Sequence, residues 1–317
     1  MAETIIEVKN LKKYFKTKKG MLHALDDVSF SIKEGETLGL VGESGCGKST
    51  TGRAILRLHE PTSGEVIFRD TDVVALDKKQ MKEMRKKMQI VFQDPYSSLN
   101  PRLNVQELIS EPLLVNHIYS NKKEMENRVK EVMEIVGLEK RLTKSYPHEL
   151  DGGRRQRIGI ARALSINPEF IVMDEPVSAL DVSVQAQILN LMNQLKKDLG
   201  LTYLFISHNL SVVKHVSDRI AVMYLGKIVE LAHYREIFAN PVHPYTQALL
   251  SAIPIAKLNV QKERIILEGD VPSPVDPPKS CRFCGRCRYK TKQCEEAAPE
   301  LVDIGNEHYV ACYLAQK

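Results

Sequence analysis

The chain has 317 residues, 43% of them hydrophobic and 27% charged, with a net charge of +5 and no tryptophan. That is enough for one large core with an appendage, and the balance is that of a globular protein, not a disordered or fibrous one. No apolar run approaches the roughly 18 residues that span a bilayer, and the opening MAETIIEVKN has acids and no apolar signal-peptide run, so a cytosolic address is expected. Reducing cytosol disfavours structural disulfides. The basic runs at 78–87 and 279–293 lack interleaved aromatics or a nucleic-acid motif, so solvated faces are expected and no nucleic-acid partner.

Along the chain, TIIEVKNL, ALDDVSFSI and TLGLVG read as short β-branched strands between residues 4 and 42. A helical pattern starts at Lys48 and ends near the turn signal PTSG (61–64); EVIFRD and MQIVFQD (88–94) then read as strands. PYSSLNPR reads as a loop, and 105–136 as helical. EFIVMDE (169–175), LTYLFISH (201–208) and DRIAVMYLG (218–226) have the pattern of buried strands. Between the first two lies VSVQAQILNLMNQLKKDLG, an amphipathic helix closed by Gly200. Strand, helix, strand repeated this way predicts an α/β fold with a parallel core. Proline density rises after 240 and VPSPVDPPKS reads as a linker, so a boundary is expected near 255: a main domain 1–255, then a small module 256–317.

GESGCGKST (42–50) follows a strand and opens a helix, the context of a phosphate-binding loop. Gly42, Gly45 and Gly47 let backbone N–H groups, with those of Glu43, Ser44 and Cys46, close around phosphate oxygens. Lys48 brings a point charge toward the β- and γ-phosphates, and Ser49, followed by Thr50, is placed for Mg²⁺. Cys46 reads as a spacer with no redox task. A hydrolytic site also needs a metal anchor and a group that orients water. FIVMDEP ends a strand with Asp174 for the magnesium shell and Glu175 as candidate base. His208 ends the next strand, where it could reach a γ-phosphate, and Gln93 could bind Mg²⁺ or water.

Five of the six cysteines lie in the tail, spaced C-x₂-C-x₂-C-x₆-C-x₁₇-C from Cys281 to Cys312. Structural zinc sites often use two separated pairs, which this spacing lacks. The run is nearer the C-x₂-C-x₂-C-x₃-C of bacterial ferredoxins, and the interleaved basic residues would balance a negative cluster. Iron–sulfur cluster, zinc and unliganded thiols all remain open on spacing.

Taken in order, these pieces resemble the ATP-binding subunit of an ABC transporter. They are Walker A at 42–49, the Q-loop Gln93, a signature region HELDGGRRQR (148–157), Walker B ending at Asp174 and Glu175, the D-loop SALD with Asp181, and the switch His208. Phe15, with Tyr14 beside it, matches the aromatic that stacks on adenine in that family. QDPYSSLNPR, NPVHPYTQALLSAIP and EGDVPSPVDPPKSCRF narrow the resemblance to the dipeptide/oligopeptide/nickel importer ATPases. The fold implied is a P-loop ABC ATPase, with a RecA-like mixed sheet core, a helical subdomain at about 95–165, and a small cysteine-rich C-terminal module. ATP and Mg²⁺ are the cofactors implied, and Cys281, Cys287, Cys294 and Cys312 the ligands of a 4Fe–4S cluster, leaving Cys284 spare. The partners implied are a second ATPase subunit, two membrane-spanning permease subunits and, indirectly, an extracytoplasmic peptide-binding protein. The place implied is the cytoplasmic face of the membrane, and the solute a dipeptide or oligopeptide, with nickel the alternative. A nucleic-acid-clamping ABC ATPase would carry long arms, for which the roughly 125 residues between Lys48 and Asp174 leave no room. A soluble ATPase that uses the tail as a redox sensor is the other alternative.

The signature departs from the family's Leu-Ser-Gly-Gly-Gln: this chain reads Leu150, Asp151, Gly152, Gly153, Arg154. A carboxylate facing a partner-bound γ-phosphate would repel it, by about 1 kcal/mol at ~4 Å even in bulk water. Asp151 could instead cap the helix behind it, and Arg154 could offset its charge. Two unequal ATP sites in an assembled dimer, with a non-identical partner, are the expectation.

Overall fold

The computed structural model describes residues 3–253 and 264–316, so the boundary expected near 255 lies outside the described residues. In chain order the strands are β1 (Thr4–Thr17), β2 (Gly20–Lys33), β3 (Thr37–Val41), β4 (Ser63–Phe68), β5 (Thr71–Asp72) and β6 (Met88–Val91). They continue with β7 (Phe170–Asp174), β8 (Thr202–Ser207), β9 (Arg219–Tyr224), β10 (Lys227–His233), β11 (Val302–Asp303) and β12 (Tyr309–Val310). The chain folds as two compact units: Met1–Lys33 with Thr37–Ala75 and Ser207–Lys317, and Glu34–Glu36 with Leu76–Ile206.

The first unit holds an antiparallel sheet in the order β2-β1-β4-β5 and a run β11-β12-β10-β9-β3 in which β3 and β9 are parallel. Its β1–β2 hairpin extends past the expected TIIEVKNL, since Tyr14 pairs with His23 and Thr17 with Gly20. The Lys-rich stretch KKYFKT has no apolar alternation, and repeated register shifts break the pleat, so no period-2 signal marks it. In the second unit β6, β7 and β8 are parallel, and all five residues of β7 are buried, the pattern of a strand covered on both faces. Between 95 and 164 its regular structure is helical: Pro95–Ser98, Val105–Val115, Lys122–Ile135, two 3₁₀ turns and Gly152–Leu164. The basic run Lys78–Lys87 is a helix whose one buried side chain is Met81, started by a reciprocal Asp77–Gln80 capping box.

The expected separate cysteine-rich module is not what forms. The C-terminal residues belong to the first unit, where Val310 pairs with Glu230 and Tyr309 with Leu231, adding β12 to β10. The physical reason is core size. The tail has few large apolar side chains, and its Phe283, 2% exposed, uses the rings of Tyr224 and Tyr245 as its core. A buried polar hub fastens the same region. Glu230 is fully buried and accepts from the Val242 N–H (2.9 Å) and the His243 N–H (3.0 Å), and its carboxylate lies 2.8 Å from His308 Nε2.

His243 caps the helix Pro244–Ser251 by accepting the Tyr245 N–H on Nδ1 at 3.1 Å. Burial pushes its pKa down to about 4 from an ordinary 6.5, although Glu230 pulls the other way. An unfolded chain takes a proton on His243 near pH 6.5, which the folded chain refuses until about pH 4. Stability from this group is therefore complete above that window and declines as pH falls through it, by about 3 kcal/mol in all. Chemical denaturation at steps from neutral pH downward should show that decline, and His243→Asn, which keeps a cap acceptor that does not titrate, should flatten it.

Candidate functional site

All five residues of β3 are buried, and the strand delivers the chain into the loop Gly42–Gly47. Backbone crowding shapes that loop. A Cβ on Gly42 (φ +155°) would stand 2.1 Å from the Met223 carbonyl oxygen, and one on Gly47 (φ +109°) 2.4 Å from that of Ala24. The Gly226 N–H donates to the Cys46 carbonyl at 2.8 Å, tying the loop to the β9–β10 turn. Helix Lys48–Ile55 starts directly from Gly47 with no side-chain cap, so its first N–H groups and positive dipole end face the loop. Lys48 is 4% exposed, and its Nζ donates to the carbonyls of Gly42 (2.8 Å) and Glu43 (2.9 Å). Ser49 and Thr50 are partly exposed in the helix's first turn, while Ser44 and Gly45 are exposed on the loop. Cys46 is buried, and burial raises its thiol pKa against the pull of Lys48, a neutral packing role in keeping with a spacer.

His208 belongs to the same unit, exposed immediately after β8. Tyr14 stacks on His23 with ring centroids 3.9 Å apart and donates to Asp26 Oδ1 at 2.5 Å. Phe15, next along the strand, meets His59 edge-on at 5.8 Å with Lys13 over its ring. Adjacent strand residues point to opposite faces, so Tyr14 and Phe15 cannot both lie against one base.

In the second unit Asp174 ends β7 at 1% exposure, and Glu175 follows with a left-handed backbone (φ 47°), its N–H donating to the Ile206 carbonyl at 3.0 Å. A non-glycine residue held there is a strained, over-determined position of the kind found at working sites. Gln93 Nε2 donates to Glu175 Oε2 at 3.1 Å, so the two residues predicted to handle metal and water meet. Asp151 does cap its helix, accepting the Arg154 N–H at 2.8 Å, and Arg154 Nη1 also donates to Asp151 Oδ2 at 2.9 Å. Gly152 and Gly153 pack where a Cβ would meet Leu180 at 3.0 Å and Val184 at 2.6 Å. That seats the signature helix beside the D-loop, where Asp181 caps the next helix by accepting the Val184 N–H at 2.9 Å.

Cys281, Cys284, Cys287, Cys294 and Cys312 line one cavity of about 390 Å³ and carry free thiols. Burial, then the neighbouring thiols, raise the pKa of Cys281 to about 11 and push up those of Cys287 and Cys312 as well. The expected metal ligation finds no support in this geometry: among the described residues no group of three or more His, Cys, Asp or Glu is placed to hold a metal ion. The thiols surround a space rather than a point, and a single zinc ion needs donors about 2.3 Å from itself. Four residues at the loop were not foreseen: Asp26, Tyr245, Arg282 and Arg286. Asp26 fell in a stretch read only as a strand, Tyr245 and Arg282 in stretches that carried a family resemblance, and Arg286 in the cysteine run, and no spacing rule links positions more than 200 apart.

Comparison with known proteins decides the family. A model described as ABC transporter matches residues 25–178, and one described as oligopeptide/dipeptide transporter, C-terminal region matches 229–294. The chain is 51% identical to the oligopeptide transport ATP-binding protein AppF of Bacillus subtilis over 98% of each chain. It is 56% identical to OppF of the same organism, covering 84% of this chain and 87% of that protein. Among solved structures it is similar to the dimeric ATP-binding cassette MJ0796 in a post-hydrolysis state with ADP and phosphate. The TM-score is 0.66 at 32% identity, over 73% of this chain and 99% of that one. The chain belongs to the oligopeptide transport ATP-binding proteins of the ABC transporters. As an ABC ATPase it couples ATP hydrolysis to transport, and among its described residues no helix is long and apolar enough to cross a membrane.

The crowding around the loop of this ABC ATPase makes a graded prediction. Gly42→Ala should destabilise the ligand-free protein severely, because its Cβ meets backbone. Gly45→Ala, with φ +77° but nothing within 4 Å, should lose only the left-handed backbone penalty of about 1–2 kcal/mol. Thermal unfolding of the two variants side by side measures the difference.

Proposed function

We propose that the chain hydrolyses ATP to drive uptake of oligopeptides or dipeptides through a membrane importer, acting at the cytoplasmic face of the membrane. The carrying observation is the loop: a helix N-terminus, crowded glycines and a buried lysine in one turn, in a chain half identical to oligopeptide transport ATP-binding proteins. Those relatives' names favour peptide over nickel as the solute.

In this reading the N–H groups of residues 44–50 bind the phosphate chain, that of Glu43 being taken by Tyr245, and Lys48 Nζ leaves its two carbonyls for the β- and γ-oxygens. Ser49, Gln93 and Asp174 would hold Mg²⁺, which when bound screens the phosphate charge. Glu175 takes the proton of the attacking water, Gln93 holds that carboxylate in place, and His208 contacts the γ-phosphate. Phe15, beside Tyr14, stacks on adenine. ATP-driven closure of a dimer and reopening after hydrolysis then move two permease subunits, to which a binding protein delivers peptide. The helical region of the second unit leaves Leu114, Val115 and Ile118 exposed, apolar surface suited to a permease contact.

A second ATPase subunit of different sequence fits the signature. Asp151 keeps the capping function of a serine, yet its carboxylate side chain remains 58% exposed beside Arg154. The site built on this chain's Walker A is then the competent one, and the site that borrows its signature the weaker. For the cysteines, Cys281, Cys287, Cys294 and Cys312 would hold a 4Fe–4S cluster with Cys284 aside. The family resemblance alone selects that set, and a cluster would place its thiolates on separate irons, so it does not need the single-ion geometry that no group of the described residues offers. Iron and acid-labile sulfide in anaerobically purified protein test it, and metal-free or zinc-bound protein would refute it.

Glu175→Gln should bind ATP as the parent does and hydrolyse it at least about a hundredfold more slowly. Parental turnover in that variant would sink the assigned base. In the assembled transporter, Asp151→Ser with Arg154→Gln should raise ATP turnover, whereas an unchanged rate would mean that the two sites are not made unequal by the signature.

A further inference from the structure

Both ends of the nucleotide site are gripped from behind by the C-terminal segment. Glu43, the second residue of the phosphate loop, is held twice. Its N–H donates to the Tyr245 hydroxyl at 2.9 Å, so this amide points out of the loop. Its carboxylate takes Arg286 Nη1 at 3.1 and 3.3 Å, with the arginine side chain only 10% exposed and the glutamate 28%. Four residues earlier, Arg282 donates to the Leu225 carbonyl and to the Asp26 carboxylate. That carboxylate also accepts the Tyr14 hydroxyl, which joins Arg282 to the strand bearing Phe15. Burial, then the bond to Asp26, raise the Tyr14 pKa, and Asp26 stays below its ordinary value because Tyr14 and Arg282 outweigh its own burial. Between the arginines, Phe283 is wedged at ring distances of 5.2 Å from Tyr224 and 5.5 Å from Tyr245. The backbone there turns tightly, Arg286 N–H donating to the Phe283 carbonyl at 3.0 Å, so the two guanidinium groups are carried on one small rigid piece.

A carboxylate on a phosphate loop repels its ligand unless a cation neutralises it. We propose that Arg286 and Arg282 are positioning residues for ATP: Arg286 neutralises Glu43 and fixes the phosphate loop, while Arg282, through Asp26 and Tyr14, fixes the strand that presents Phe15 to the base. Neither touches the nucleotide. The inference rests on the reading of residues 42–50 as the phosphate site and extends it to the cysteine-bearing tail.

The two grips predict different losses, which general destabilisation would not. In calorimetric titrations of the full chain with MgATP and with magnesium tripolyphosphate, which has no base, Arg286→Ala should weaken both ligands about tenfold, the worth of one charge-assisted hydrogen bond. Arg282→Ala should weaken MgATP severalfold and leave tripolyphosphate unchanged. Arg286→Lys should recover much of the loss, and the Glu43→Gln, Arg286→Ala double variant should bind no worse than Arg286→Ala, because the uncompensated carboxylate is gone. Should Arg286→Ala not fold, Arg286→Lys and Glu43→Gln carry the same comparison. Parental affinity for both ligands in the arginine variants, with Lys48→Ala losing both, overturns the brace while the loop assignment stands. Equal loss of both ligands in both arginine variants also overturns it. If Lys48→Ala binds both ligands like the parent, the loop assignment itself fails, and the brace with it.

Discussion

The constraint on which the nucleotide unit depends is the lack of room around the phosphate loop. At Gly42 and Gly47 neighbouring carbonyl oxygens occupy the volume a Cβ would fill. The loop is therefore pinned at both ends before any ligand arrives, while Ser44 and Gly45 between them stand exposed. Preorganisation of that kind is what allows backbone dipoles to stabilise phosphate without a reorganisation penalty at binding. The same crowding explains why the loop draws on distant elements. Its walls are the end of β9, the β9–β10 turn and β2, so a change in any of them reaches the phosphate site through van der Waals contact.

A consequence is that the C-terminal segment is part of the nucleotide unit and not an accessory. Phe283 completes an aromatic cluster with Tyr224 and Tyr245, β12 lengthens the sheet at β10, and Glu230 gathers two backbone N–H groups and His308 in a buried hub. Removing one partner of such a hub leaves a buried charge unmatched, which costs about 3–5 kcal/mol where it has been measured. The tail therefore cannot loosen without exposing that hub. The second unit shows a different economy. Gln93 meets Glu175 there, and Asp151 performs the cap of a serine while Arg154 folds back onto its charge.

Much of the site was legible from residue type and order. A glycine-rich loop between a strand and a helix has few other uses, two acids after four apolar strand residues have a stated chemistry, and both signals are local. So are caps: an aspartate before two glycines predicts what Asp151 does. The β1 extension was not legible, because KKYFKT lacks the alternation that marks a strand and has only one β-branched residue, Thr17, and its partner β2 holds it in place. The cysteine run was legible as a group but not as a site. Spacing brought five thiols together, whereas whether any three can share an ion depends on backbone turns that spacing does not encode.

By itself, then, the sequence determined the glycine-rich loop between strand and helix, the paired acids at a strand's end, the order of motifs and the buried parallel strands, since each is set within a dozen residues by sterics and hydrophobic pattern. Only the tertiary structure decided that Arg282 and Arg286, more than 200 residues from Asp26 and Glu43, grip the nucleotide unit. It also decided that the tail adds a strand to the core instead of folding apart. Long-range ion pairs and shared cores are choices among many equally charged and equally apolar candidates, and only packing selects among them.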